Sequence, residues 1–103
     1  MKYHFKFGRG KKLIVGEETT FMELGFAILS EYDMIPDHLF MFQFSNGDNT
    51  DSACPLGPMN DRLGNVSIET KIRDRNMAIG EVLTFVYDYS RDWSRKIRLV
   101  EIL

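Results

Sequence analysis

The sequence predicts an α+β domain, an antiparallel-rich sheet of about six strands with one main helix packed on one face. Three observations support this. Aromatic and aliphatic residues alternate with polar ones at both ends of the chain, one internal segment has helical spacing behind a capping box, and 103 residues suit a single domain spanning 1–103.

The opening stretch Lys2-Tyr3-His4-Phe5-Lys6-Phe7 puts Tyr3, Phe5 and Phe7 on one face, the mark of a half-buried strand. Glycines at Gly8 and Gly10 allow a turn, and Leu13-Ile14-Val15 returns, so residues 2–15 read as a hairpin. Thr20 followed by Glu23 then opens a helix. Phe21, Leu24, Gly25 and Ile28 recur at its spacing, and Met22, Phe26 and Leu29 widen the apolar face. A face that broad calls for a sheet beneath it, with a dimer contact as the alternative, so both monomer and homodimer stay open. The helix should end between Asp33 and Pro36, because proline disfavours helical geometry in the residue before it.

Residues 39–44 read as a central third strand. Ser45 to Asn65 is rich in turn formers and reads as a long, mobile loop. Val66 to Ile72 alternates as a fourth strand, and Asp74 is placed to cap a helical turn closed by Gly80. In the C-terminal hairpin, Leu83, Phe85, Tyr87 and Tyr89 share one face, as do Trp93, Ile97 and Leu99. That pattern pairs Tyr89 with Trp93 and Phe85 with Ile97, leaving Ser90-Arg91-Asp92 as the loop.

Composition narrows the function classes. A single cysteine, Cys54, excludes an internal disulfide and a cysteine-based zinc site. No basic start leads into a long apolar stretch, and the run from Leu39 to Phe44 is too short to span a bilayer, so a cytoplasmic location without membrane contact is expected. Net charge is −2 but uneven. Residues 1–12 hold five Lys/Arg and no acid, 13–61 hold nine Asp/Glu and no Lys/Arg, and 62–103 hold eight bases and six acids. Folding could join the two basic ends into a modest face, yet the overall balance argues against nucleic acid as a tight partner.

The segment Tyr87-Asp88-Tyr89-Ser90-Arg91-Asp92-Trp93, with the alternating strand after it, resembles the Tyr-Asp-Phe-Gly-Asp-x-Trp signature of the plasmid pRiA4b ORF-3-like family. Asp37-His38-Leu39-Phe40-Met41-Phe42 resembles that family's His-Leu-His-x-Phe strand. Ser90 stands where the family has glycine, Arg91 where it has an acid, and Phe40 where it has a second histidine. The resemblance implies an α+β fold and carries no reaction with it.

The candidate functional surface is His38, Asp88, Asp92 and Trp93. In the predicted register Asp88 lies opposite Ser94 and diagonal to Lys96, where a carboxylate is disfavoured and needs compensation. Structurally, Asp88 would accept hydrogen bonds that order the turn; functionally, it would join Asp92 as a ligand-facing acid near Trp93. Trp93 reads first as a core anchor. No metal or cofactor is expected: His4 and His38 stand far apart, and Asp48-Asn49-Thr50-Asp51 lacks the glycine and terminal acid of a calcium loop, where Ala53 and Met59 stand. Cys54 has acids rather than activating bases nearby. The expected function is a non-enzymatic interaction module with an unknown protein partner. Two other classes remain. A mobile-element accessory protein contacting nucleic acid would use Lys2, Lys6, Arg9, Lys11, Lys12, Arg95, Lys96 and Arg98. A small hydrolytic enzyme would need Asp88, Asp92 and His38 to converge.

Overall fold

Alternating aromatics form strand β1 (Lys2–Phe7), which pairs antiparallel with β2 (Lys11–Gly16) in the first hairpin. This computed structural model describes residues 1–35, 37–54, 60–61, 64–91 and 93–103. Helix α1 (Phe21–Glu31) follows, then β3 (Phe40–Gln43), two-residue strands β4 (Ser52–Ala53) and β5 (Asn60–Asp61), β6 (Val82–Tyr87) and β7 (Trp93–Ile102). The antiparallel sheet runs β2-β1-β7-β6-β3-β4-β5, so the first and last strands are neighbours and β7 bridges the two hairpins. No helix among the described residues is long and apolar enough to cross a membrane.

α1 forms where its capping box predicts. The Glu23 amide donates to Thr20 Oγ1 and the Thr20 amide donates to Glu23 Oε1, both at 3.1 Å. These bonds satisfy two groups at the helix start that lack intrahelical partners. Phe21, Leu24, Gly25, Ile28 and Leu29 are buried against the sheet. Tyr3, Phe5, Phe7, Phe40, Phe42, Leu83, Phe85, Tyr87, Ile97 and Leu99 face them from the strands. The core is aromatic at its centre: Phe85 lies 5.4 Å from Phe40 and 5.2 Å from Phe42, ring centre to ring centre. Gly25 sits directly on Phe40, and a Cβ there would come within 2.2 Å of the ring.

The long connection after β3 is more ordered than its composition suggests. Thr50, Ser52 and Ala53 are buried, and the Phe42 amide donates to Thr50 Oγ1 at 2.9 Å while the Thr50 amide donates back to the Phe42 carbonyl. Asp48 organises the bend. Its carboxylate accepts from Asn46 Nδ2 at 3.0 Å, Asn65 Nδ2 at 2.8 Å and Arg75 Nη2 at 3.0 Å. Gly64 presses on the Thr50 backbone with no space for a side chain. Where composition suggests a mobile loop, Asn46, Asp48, Asn49, Thr50 and Asn65 are joined by hydrogen bonds to one another, to β3 and to Arg75. The rest of that expectation, 55–59 and 62–63, lies outside the described residues.

Three further expectations are corrected. Residues 66–72 are not a strand: Val66 makes one parallel bridge to Thr50, and 67–70 turns, with the Glu69 amide donating to Ser67 Oγ. The segment's carbonyls are taken by the helix start, since Phe21 and Met22 amides donate to Thr70 and Ile68. Ile68 and Ile72 are buried all the same, which is what the alternation registered. The 3₁₀ turn after it spans Ile72–Arg75 with Lys71 as its N-cap, so Asp74 lies inside rather than capping, and Asn76 ends it at φ 50°. In the last hairpin Tyr87, not Tyr89, pairs with Trp93, and Leu83, not Phe85, pairs with Ile97. The cause is Asp88, whose φ of 56° leaves extended geometry and ends β6 early. Tyr89 turns away, exposed, with its hydroxyl 2.5 Å from Ser52 Oγ.

The hydrogen bonds from Asn65, Asn46 and Arg75 hold the Asp48 carboxyl below its usual range. A carboxyl lowered on folding contributes stability that is present above its unfolded value, about pH 4, and is lost as pH falls through the folded value. The Asn65 side-chain amide resonances should therefore shift on acidification below about pH 4, and Asp48→Asn should flatten that response. Unmoved resonances down to about pH 2 would mean that another group anchors the bend.

Candidate functional site

α1 ends in a backbone arrangement that places the next segment. The Met34 amide donates to the Leu29 carbonyl at 3.0 Å and the Asp33 amide to the Ser30 carbonyl at 3.1 Å. This is a Schellman closure, in which the residue just past the cap is left-handed and is most often glycine. Here it is Asp33, at φ 53°. The chain then runs along the end of the sheet to His38 and enters β3.

Across from it is the start of the β6–β7 turn. The Asp88 amide donates to the Leu39 carbonyl at 3.1 Å and its carbonyl accepts from the Arg91 amide at 2.9 Å. The two segments bound an open cleft of about 460 Å³ lined by Asp33, Asp37, His38, Asp88, Arg91 and Trp93, with Met34, Ile35 and Tyr87 completing the wall. Three of the four sequence-predicted residues, His38, Asp88 and Trp93, thus converge; Asp92 lies outside the described residues.

Asp88 is not on the sheet's polar face: Val86 opposes Ser94, and Asp88 lies beyond the strand end. Its side chain is 9% exposed, with Oδ2 3.4 Å from Arg91 Nε and 3.8 Å from His38 Nε2. His38 Nε2 is also 3.5 Å from Asp37 Oδ1, and its ring meets Tyr87 edge-on at 5.8 Å. The Tyr87 hydroxyl donates to the Ile35 carbonyl and lies 3.0 Å from Asp37 Oδ1. Burial, followed by the nearby Asp37 carboxylate, raises its pKa above the usual tyrosine value. Trp93 is partly buried against the core, with Tyr32, Phe85 and Tyr87 edge-on to it and the Arg95 guanidinium 4.2 Å above its ring. It is chiefly an anchor that shows one edge to the cleft.

Sequence reasoning missed Asp33, Asp37 and Arg91. Asp33 had a usable signal, an acid where a helix end favours glycine. Asp37 and Arg91 become site residues only through the pairing of distant segments. The lining holds no serine, threonine or cysteine to serve as a nucleophile. Among the described residues no group of three or more His, Cys, Asp or Glu side chains is disposed to hold a metal ion.

The fold has a solved counterpart. A protein of unknown function from Methanosarcina mazei Go1 is 25% identical to this chain at a TM-score of 0.70, over 99% of this chain and 61% of that one. The present chain thus spans less than two thirds of that protein's length. No protein-family model and no curated protein matches the chain.

The Asp88 geometry sets an order of variants. Asparagine tolerates left-handed backbone but loses the charge, whereas alanine loses both, adding roughly 1–2 kcal/mol of backbone cost to about 1–3 kcal/mol for the stranded partners. Urea denaturation should rank wild type above Asp88→Asn and Asp88→Asn above Asp88→Ala. An alanine variant as stable as wild type would refute this role.

Proposed function

We propose that the chain is a non-enzymatic interaction module and that the cleft between Asp33–His38 and Asp88–Arg91 is its contact surface. The observation that carries this reading is the conformation of two aspartates. Among the described residues, only Asp33, Asn76 and Asp88 are non-glycine residues at positive φ, and two of these three line the same cleft. Such geometry costs free energy, and it concentrates where a side chain is needed for binding or chemistry. At Asp33 glycine would serve the Schellman closure better, so the carboxylate has a use that folding does not supply.

The lining chemistry suits a cationic side chain. Asp33, Asp37 and Asp88 offer three carboxylates against the one guanidinium of Arg91. Met34, the exposed Ile35 and the edge of Trp93 provide apolar surface for the stem of a lysine or arginine. With no serine, threonine or cysteine among the lining residues and the Tyr87 hydroxyl engaged by the Ile35 carbonyl and Asp37, binding is better supported than hydrolysis by Asp88, Asp92 and His38. The partner in this reading is a protein presenting a basic side chain, met in the cytoplasm. The sequence from Tyr87 to Trp93 and the His38 segment ahead of β3 support grouping the chain with the plasmid pRiA4b ORF-3-like proteins.

Two measurements on Asp33→Gly test the reading together. Thermal melting should show the variant as stable as wild type or up to about 1 kcal/mol more stable, since glycine relieves the left-handed strain. Titration of wild type with a short peptide containing lysine and arginine should shift amide resonances of 33–38 and 87–91, and the variant should respond more weakly. Shifts that fall elsewhere, or a full response in the variant, would contradict it.

A further inference from the structure

The face of the sheet turned away from α1 carries a second feature, independent of the cleft. Alternation sends Lys6 of β1, Lys12 of β2, and Lys96 and Arg98 of β7 to this side, and all four are exposed. The register places Lys6 directly opposite Lys12 on one flank and directly opposite Arg98 on the other. Three cations thus form one cross-strand row of about 10 Å, with Lys96 about 7 Å along β7 from Arg98. Like charges directly opposite in a sheet are destabilising. Among the described residues none of the four forms an ion pair, although Glu101 lines the same depression as Lys6 and Lys12; Glu17 pairs with the amino terminus, Glu18 with Lys71 and Arg73, and Asp48 with Arg75.

The surface is shaped as well as charged. Two shallow depressions of about 330 and 340 Å³ share Lys6 and Val100. Val82 flanks the first, and Ile14, 55% exposed, flanks the second. A row of cations in a shallow groove matches a strand that presents phosphates in series and leaves its base faces open for stacking. A duplex hides those base faces. Farther along the same face the exposed Tyr89 lines a depression with Thr84 and Ser94, an aromatic surface of the kind on which bases stack.

We propose that the outer face of β2-β1-β7 docks single-stranded nucleic acid through its phosphodiester backbone, along Lys12, Lys6, Arg98 and Lys96. Four phosphate contacts give weak, sequence-independent binding at physiological salt, which agrees with the chain's overall negative balance.

The test is fluorescence anisotropy of the full chain with a labelled oligothymidylate of about 20 nucleotides, from about 30 to 200 mM salt. The expected dissociation constant lies in the range of about 10⁻⁴–10⁻⁶ M, and log K should fall against log salt with a slope of about −3, at about 0.7 per contact. The double variant Lys6→Glu/Arg98→Glu should bind at least about tenfold more weakly, with roughly half that slope. Its melting midpoint should equal or exceed wild type, because the like-charge row is relieved. Any of four results would overturn the proposal: no binding at the lowest salt, undiminished binding by the folded double variant, a duplex bound as tightly as the single strand, or binding only to anionic vesicles.

Discussion

The contact on which the rest of the structure depends is the seating of α1 on Phe40 at Gly25. Phe40 is fully buried, and Phe26, Phe42 and Phe85 surround its ring. Without a Cβ at position 25 the helix backbone can lie against that ring. Alanine would gain about 1 kcal/mol in helix propensity, but overpacking a fixed ring costs about 1–3 kcal/mol, so packing decides the residue. The height and angle of the helix follow from this contact, and with them the place where the Schellman closure releases Asp33.

From that release point the cleft is a consequence of topology. Asp33–His38 must cross the end of the sheet to enter β3, and β3 pairs with β6, whose end is Asp88. The Leu39 carbonyl accepting from the Asp88 amide joins the two segments. The Tyr87 hydroxyl, bonded to the Ile35 carbonyl, joins them a second time. Two left-handed aspartates therefore face one opening even though 55 positions separate them. Local strain is tolerated because α1 and β6, each held by buried aromatics, fix the backbone on both sides.

The sequence was legible wherever one local rule acted alone. Strict alternation in β1 and the Thr20–Glu23 pair gave elements whose position the structure matches, and His38, Asp88 and Trp93 do converge. It misled where distant backbone groups competed. Ile68 and Thr70 have strand-like alternation, but their carbonyls satisfy the start of α1. Tyr89 continues the apolar pattern of β6, but the backbone at Asp88 has already turned. Ser45 to Asn65 has the composition of an unstructured loop, yet Asp48 and Thr50 bind it to β3, Asn65 and Arg75. Sequence spacing does not record such bonds between remote segments. Asp37 and Arg91 were hidden for the same reason.

The central claim is that the Gly25–Phe40 contact positions the cleft as well as the core. A comparison of backbone amide chemical shifts between wild type and Gly25→Ala tests it most directly. Lifting the helix from Phe40 should move the amide resonances of Asp33, Asp37, His38 and Asp88, which lie beyond the helix. Shifts confined to the helix turns around residue 25 and to Phe40 would contradict the claim, because the cleft would then be placed independently of the helix seat.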